Sequence, residues 1–463
     1  MSLEGAIAAH RFGLGARAGE IETASQAPKD WLMGQLDGPA DQPQALDDQP
    51  LQSGGDLVAA MIEFQKQRKA LRDAAKDGEV DKDQIKKLNQ AHAQLYIGEM
   101  AARFAHGFTT DKPFAERFVW FWSNHFTVSS ANGRAAPFVG AFEREAIRPH
   151  ITGTFEEMTQ AVVHHPAMLL YLDNAESIGP DSPAGMRSRK GLNENLGREL
   201  MELYTLGVDA GYTQADVIAL AKLLTGWSID RNGGGDNGFR FYPARHEPGE
   251  FVLRGRTYPP GYDGGMQAVS DLARDPATAR HVAKQLAIHF VADDPPASSV
   301  ARLEKTFNET GGRLKALAQT LVDDPAAWSR SRHKMRTPVE YVTAAYRLMN
   351  LPRDGEPPEN WQKQVRGAMG ATRLMGEFPL AAPSPKGWPD VSEAWSGPDA
   401  VLDRIEWARQ VGQRLPPRFD AAAVAEMGLG PLVRPATKTA MAQAVTPGEA
   451  VALLLSSPEF QRR

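Results

Sequence analysis

The sequence predicts a mainly α-helical, bundle-like protein in which residues 1–463 form one large domain. Three observations lead to this prediction. Apolar residues recur at helical spacing through much of the chain, helix-start signals precede several of these runs, and the segment 239–258 has the character of strands. The composition, 42% hydrophobic and 24% charged residues, is ordinary for a folded soluble protein.

The first predicted element in chain order is a helical hairpin over residues 57–106. Two amphipathic runs, IEFQKQRKALRDAAK and KDQIKKLNQAHAQLYIGEMAARF, are separated by a break around Asp77–Asp81. We expect the charged faces of both helices to be solvated. The hairpin is therefore predicted to be an elaboration of the main domain.

Later helices are marked by the residues that begin them. Proline fits the first helical turn because no N–H is needed there, and Pro113, Pro276 and Pro338 each precede a helical run. Thr213 and Asp216 have the spacing of a capping box. The sequence therefore predicts helices that start at these four places.

One segment, Phe239–Tyr258, is predicted as a small β lobe. Its sequence places FRFY and FVLRG on either side of ARHEPGE, which is typical of a short hairpin or an extended lobe. Gly- and Pro-rich stretches at Arg231–Gly238, Pro259–Gly265 and Ala382–Pro398 are predicted as loops, and they are longer than simple connections.

Charge and composition argue against several classes of function. A net charge of -5 offers no basic excess for general nucleic-acid binding, and no apolar run is long enough to span a membrane. Without cysteine, the chain has neither a disulfide nor a thiolate site. The N-terminus lacks the features of a secretory signal, which predicts a cytoplasmic protein; a removed leader would instead make it periplasmic or exported.

The most informative segment is the helical run after residue 193, because it carries acidic side chains on a face that should be buried. Three leucines, at positions 196, 200 and 203, form an apolar stripe. Glu199 falls inside that stripe and Glu202 lies along its edge. A buried carboxylate must be protonated, hydrogen-bonded, paired with a cation or bound to a metal.

Two explanations of these carboxylates are open. Glu199 and Glu202 are three residues apart and can address one centre, and His246 would complete a mixed nitrogen and oxygen set suited to a divalent transition metal. Alternatively, Glu199 is paired with an arginine. The arginines considered for this pair are Arg117, Arg336 and Arg404.

Histidines supply the other candidate groups. His246 lies in the loop of the predicted β lobe, where a side chain can be presented to a cleft. His125 shares a helical face with aromatic residues and is either a core histidine or an acid–base group. Asn124 precedes it. The predicted site therefore contains Glu199, Glu202, His246, His125 and Asn124, with a carboxylate as base or ligand and a histidine as acid, base or ligand.

A series of motifs along the chain resembles a known family. The motifs are RFGLGAR (11–17), FWSNHFTV (121–128), HHPAMLLYLDN (164–174), NENLGREL (193–200), GYTQADV (211–217), RHEPGEFVLRG (245–255), HVAKQLAIHFVADDPP (281–296), KMRTPVEYV (334–342), KGWPD (386–390) and SSPEFQRR (456–463). In this order they resemble the large bacterial family catalogued as domain of unknown function 1800. The resemblance extends over nearly the whole sequence.

This resemblance implies a class of protein but no reaction, since the family has no established activity. Relatives are often encoded beside a second uncharacterised family related to sulfatase-like enzymes, which implies a partner protein. Two functions are therefore open. One is an enzyme with a polar pocket, with or without a bound metal; the other is a non-catalytic binding or assembly protein whose polar groups form buried networks. Convergence of those groups on an open cavity would favour the enzyme.

Overall fold

A computed structural model describes residues 1–46, 50–74, 82–188, 191–232, 237–331, 334–351 and 358–463. Within these ranges the chain forms 23 α-helices and two small two-stranded sheets. The predicted fold class, mainly α, is confirmed. None of the helices in these ranges combines the length and the apolar composition that a membrane crossing requires.

The described residues up to position 204 contain eleven α-helices. They are α1 (Leu3–Ile7), α2 (Glu20–Gln26), α3 (Pro28–Gly34), α4 (Gly54–Ala74), α5 (Lys82–Thr109), α6 (Pro113–His125), α7 (Val139–Phe142), α8 (Phe155–His164), α9 (Pro166–Tyr171), α10 (Gly185–Ser188) and α11 (Asn195–Glu199). Three described segments in this part of the chain are π-helical. They are Ala8–Phe12, Glu143–Ile147 and Leu200–Tyr204.

The described residues after position 204 contain the remaining α-helices. They are α12 (Gln214–Leu223), α13 (Tyr262–Arg274), α14 (Pro276–Phe290), α15 (Ala297–Thr310), α16 (Leu314–Asp323), α17 (Pro338–Leu348), α18 (Pro358–Leu374), α19 (Pro398–Gln413), α20 (Ala421–Leu429), α21 (Pro435–Gln443), α22 (Pro447–Ser456) and α23 (Pro458–Gln461). Helices α19 and α22 pack closely side by side.

The predicted helix starts are confirmed. Pro113, Pro276 and Pro338 occupy the first turns of α6, α14 and α17. Thr213 accepts a hydrogen bond from the backbone N–H of Asp216, whose carboxylate accepts one from the Thr213 N–H. These local rules work because the groups that they satisfy lie within one helical turn.

Helices α4 and α5 occupy the region of the predicted hairpin and contact each other. The break expected around Asp77–Asp81 lies outside the described residues. The second half of α5 differs from the expectation of a solvated elaboration, because Phe104 and Phe108 are buried and the helix packs against α17 and α18. Its charged residue Arg103 is buried as well, so this half of the helix belongs to the core.

Three strands lie within the predicted segment Phe239–Tyr258 and one precedes it, and FRF and FVL do not pair with each other as in the predicted short hairpin. Strand β1 (Trp227–Ile229) pairs with β2 (Phe239–Phe241), and β3 (Phe251–Leu253) pairs with β4 (Arg256–Tyr258), both antiparallel. The turn between β3 and β4 consists of Arg254 and Gly255, both with positive φ. Such two-residue turns match the twist of the strands that they connect, so FVL pairs with the strand that follows it.

The predicted loop Pro259–Gly265 is shorter than expected, because α13 begins at Tyr262. Gly265 lies within this helix, and a Cβ there would be 2.8 Å from the Trp227 ring. This glycine permits close packing rather than a loop. The buried apolar side chains of the described residues form one connected core, and we propose on this basis a single large domain.

Candidate functional site

A large cleft of about 1320 Å³ opens between elements from distant parts of the chain. Its walls come from α5 and α6, the π-helical turn Leu200–Tyr204 with the residues after it, α14, the start of α17, and a long loop. We call this loop, residues 375–391, the cleft loop. The cleft exceeds the roughly 300–1,000 Å³ of ordinary ligand pockets, so it has room for an extended ligand.

The cleft loop is fixed to the end of α6 by backbone and side-chain bonds. The Asn124 amide donates to the Trp388 carbonyl (3.0 Å) and accepts from the Trp388 N–H (2.8 Å). The Ser130 N–H donates to the Leu380 carbonyl (2.8 Å). Leu380 has a φ of 51°, a strained conformation for a branched residue. The predicted site residue Asn124 thus lines the cleft, and its amide holds the loop.

His125 and a second histidine, His281, lie together on the cleft wall. The Nε2 atom of His125 is 2.9 Å from the Tyr204 carbonyl, and that of His281 is 2.9 Å from the Leu203 carbonyl. These carbonyls end the π-helical turn, where intrahelical donors run out. Because carbonyls only accept, each Nε2 carries the proton and each Nδ1 keeps its lone pair. Burial lowers the pKa of His125 to about 3 and also lowers the pKa of His281.

Glu202 lines the cleft, whereas Glu199 is not among the described residues that line it. Both side chains are half-buried rather than enclosed, and so is Leu203. The reason is that the helix changes from α to π geometry after Glu199, so the helical spacing used to predict the buried face does not continue. Burial raises the pKa of Glu199, and the neighbouring charge of Glu202 raises it further.

The arginines considered as partners of Glu199 bind elsewhere. Arg117 pairs with Glu340, Arg336 donates to the Phe460 carbonyl, and Arg404 donates to the Arg336 carbonyl. The expectation of an ion pair between Glu199 and one of these three is therefore wrong.

His246 is buried, and both of its ring nitrogens bind the backbone. Nδ1 lies 2.9 Å from the Thr225 carbonyl, and Nε2 accepts from the Gly261 N–H at 2.7 Å. It is not among the described residues that line the cleft. Across the described ranges no group of three or more His, Asp or Glu side chains is arranged to hold a metal ion. The metal set of Glu199, Glu202 and His246 stays a prediction that this arrangement does not support.

A buried network of charges forms one end of the cleft. His289 Nδ1 donates to Asp390 (2.5 Å), and its Nε2 accepts from Arg117. Glu340 binds both Arg117 and Arg463. Burial opposes ionisation of Glu340, but the two arginines hold its pKa at about 2. Paired in this way, the network fixes α6, α14, α17 and the cleft loop relative to one another.

The imidazole of His289 is oriented by Asp390 of the KGWPD motif. Asp293 binds Lys334 (3.0 Å), which also binds Asp390 (2.9 Å). Burial lowers the pKa of His289 to about 4, so the ring is neutral at physiological pH.

Glu377, on the cleft loop, is a carboxyl of a different kind. It is 7% exposed, lines the cleft, and accepts a hydrogen bond from the Val339 N–H at 2.8 Å. No cation is paired with it among the described residues. Burial raises its pKa to about 7, although the hydrogen bonds from Val339 and Thr337 oppose the shift. Both protonation states are therefore populated near neutral pH.

From the raised pKa of Glu377 we expect a measurable dependence of stability on pH. The folded-state pKa of about 7 exceeds the ordinary value of 4.5, so the unfolded chain ionises first as the pH rises. As the pH rises through the range between these two pKa values, the unfolding free energy of the wild type should fall by about 3 kcal/mol relative to that of Glu377→Gln. Urea unfolding of both proteins at pH 5 and pH 8 measures this difference. Exposed Glu393→Gln is the control. If the unfolding free energies of wild type and Glu377→Gln change equally between pH 5 and pH 8, the raised pKa of Glu377 is refuted.

Arg103 is the buried cation of the cleft wall. Its Nε donates to Glu143 (2.7 Å), and its guanidinium carbon lies 4.5 Å from the centre of the Trp120 ring. Glu143 is itself held by Arg148 (2.8 Å) and by the Ser123 hydroxyl (2.9 Å). The guanidinium is therefore fixed in position and orientation beside the cleft.

The groups that sequence reasoning missed belong mostly to recognised motifs. His281 and His289 lie in HVAKQLAIHFVADDPP, Glu340 in KMRTPVEYV and Asp390 in KGWPD. Their membership of these motifs was the available signal, and the structure shows that the motifs converge on one cleft. Glu377 and Arg103 lie outside the motifs and carry no local signal, because their burial depends on how the cleft loop folds back onto α17.

Fold and cleft together define a mainly α-helical protein with a large cavity lined by ionisable side chains. The family model described as "Protein of unknown function (DUF1800)" matches residues 7–462, and the chain belongs to this family. No curated protein was found to match the chain, and no solved structure was found to match it.

Proposed function

We propose that this protein is an enzyme whose active site is the cleft and whose proton-transferring group is Glu377. The observation that carries the proposal is convergence: Glu377, Arg103, His125 and His281 come from four separate segments and line one open cavity. An open cavity lined by buried ionisable groups is the usual setting for acid–base chemistry.

The chemistry follows from the state of each group. Glu377 is close to half-ionised at neutral pH, so it can give or take a proton without a large free-energy penalty. His125 and His281 are neutral and keep one lone pair each, so they are hydrogen-bond acceptors for substrate hydroxyl or amine groups. This set suits a reaction limited by one proton transfer, such as an isomerisation, an elimination or a hydrolysis.

The site residues predicted from the sequence have two kinds of place: some line the cleft, and others hold the structure around it. Glu202 and His125 line the cleft and can contact substrate, while Asn124 positions the cleft loop. His246 has both ring nitrogens engaged by the backbone, which favours a structural role for that residue. The partner protein implied by the family resemblance stays a prediction.

The proposal is tested by exposing the purified protein to a metabolite extract and measuring consumption by mass spectrometry. Wild type is compared with Glu377→Gln and with the exposed control Glu393→Gln. We expect one or more metabolites to be consumed by wild type and by the control, at rates that fall about 10²–10⁴-fold in Glu377→Gln. Equal consumption by all three proteins, or consumption by none, would contradict the proposal.

A further inference from the structure

The guanidinium of Arg103 has donors that no described residue of the protein binds. Nε is bound to Glu143, while the two terminal nitrogens have no hydrogen-bond acceptor among the described residues. The terminal nitrogens of Arg103 are also accessible to solvent, because they are not among the fully buried side-chain atoms that lack a hydrogen-bond partner. The side chain keeps 9% exposure and lines the cleft. Its terminal N–H groups therefore face the cleft.

The surroundings of Arg103 prevent it from turning away. Trp120 covers one face of the guanidinium, and Glu143 cannot follow a rotation because Arg148 and Ser123 hold it. A cation that is already fixed loses little rotamer freedom when a ligand binds. This is the difference between Arg103 and the exposed cleft residue Arg280, which forms a surface ion pair with Glu304.

A ligand at this position must bring acceptors, because a guanidinium has donors only. Two terminal N–H groups in one plane match two oxygens in one plane, the arrangement found in carboxylates, phosphates and sulfates. We infer that Arg103 is an oxyanion-binding residue, which anchors a carboxylate, phosphate or sulfate group of the substrate in the cleft. This inference rests on the proposed function, because it assigns the substrate class of the same site.

The test measures binding of small probes by isothermal titration calorimetry. Phenylacetate, phenyl phosphate and phenyl sulfate represent the three oxyanions, and phenylacetamide is the uncharged control. Each is titrated into wild type, Arg103→Gln, Arg103→Lys and Arg280→Gln. The last variant removes the same charge from the cleft without touching the fixed guanidinium.

We expect at least one oxyanion probe to bind wild type, and the tightest of the three identifies the group. Arg103→Gln should lower the affinity for that probe about tenfold or more, because hydrogen bonds to a charged partner are lost. Arg280→Gln should change the affinity less than about threefold. Phenylacetamide should bind wild type and Arg103→Gln equally. Arg103→Lys keeps the charge beside Glu143 but loses the planar pair of donors, so an intermediate affinity is expected.

Two results would overturn the inference. One is equal binding of every oxyanion by wild type and Arg103→Gln; the other is that no oxyanion binds wild type more tightly than phenylacetamide. If Arg103→Gln does not fold, the comparison of wild type with Arg103→Lys decides. The proposed function fails separately, since it depends on loss of metabolite consumption in Glu377→Gln and not on affinity for these probes.

Discussion

Replacing Glu340 by glutamine is expected to lower the free energy of unfolding by about 3–5 kcal/mol, the range for breaking a buried ion pair. Glu340 binds Arg117 through one oxygen and Arg463 through the other (2.9 Å). Both arginines are 1% exposed. A glutamine of the same size is uncharged, so Arg117 loses the carboxylate that it pairs with, and Arg463 keeps only its longer contact with Asp390 (3.5 Å).

The comparison for this variant is Glu157→Gln. Glu157 has the same place in a capping box at the start of α8 that Glu340 has in α17, but it is exposed and is paired with no buried cation in the described part of the chain. Glutamine also serves in a capping box, so the control should change stability by less than about 0.5 kcal/mol. Urea unfolding of the two variants measures the difference. A similar small loss in both would show that the buried pairs add little to stability.

Replacing Gly387 by alanine is expected to displace the cleft loop and to lower stability by roughly 2–4 kcal/mol, from overpacking together with strain. A Cβ at this position would lie 2.5 Å from the Asn124 carbonyl oxygen and 2.8 Å from the Thr127 hydroxyl. Gly387 also has a φ of 81°. Since the Asn124 backbone is part of α6, the loop must move instead, and Trp388 loses its two bonds to Asn124.

Gly376→Ala separates the two causes. Gly376 has a φ of 88° in the same loop, but nothing lies within 4 Å of a Cβ placed there. It should therefore show the backbone strain alone, about 1 kcal/mol. Unfolding in urea, together with limited proteolysis of the cleft loop, distinguishes the variants. Equal behaviour of Gly376→Ala and Gly387→Ala would mean that contact with Asn124 does not hold the loop.

Local signals in the sequence were sufficient for the helix starts and insufficient for the strand pairing. Thr213 and Asp216 satisfy each other within one turn, so their spacing alone predicts α12. The pairing of the β lobe depends on positive φ at Arg254 and Gly255, and an arginine in that conformation is uncommon enough to escape a pattern based on Asn-Gly or Asp-Gly. The α-to-π change after Glu199 likewise has no signature in residue spacing.

The position of a side chain was predictable where it follows from its own helix. His125 and Asn124 lie on α6, and both line the cleft, while their role as site residues stays a prediction. The environment of Glu377 depends on contacts between segments far apart in sequence, such as the bonds between Asn124 and Trp388, 264 positions apart. The raised pKa of Glu377 comes from its burial. The sequence does not indicate that a carboxyl in a loop is buried.

The most direct test of Glu377 as a proton-transferring group is its own titration. Carboxyl ¹³C NMR of protein labelled at the glutamate side chains follows each resonance with pH, and Glu377→Gln assigns the resonance of interest. We expect one carboxyl resonance that titrates near pH 7, disappears in Glu377→Gln and shifts when an oxyanion probe occupies the cleft. If the resonance lost in Glu377→Gln titrates at about pH 4–5, as an ordinary glutamate does, Glu377 is not poised for proton transfer and the proposed active site is wrong.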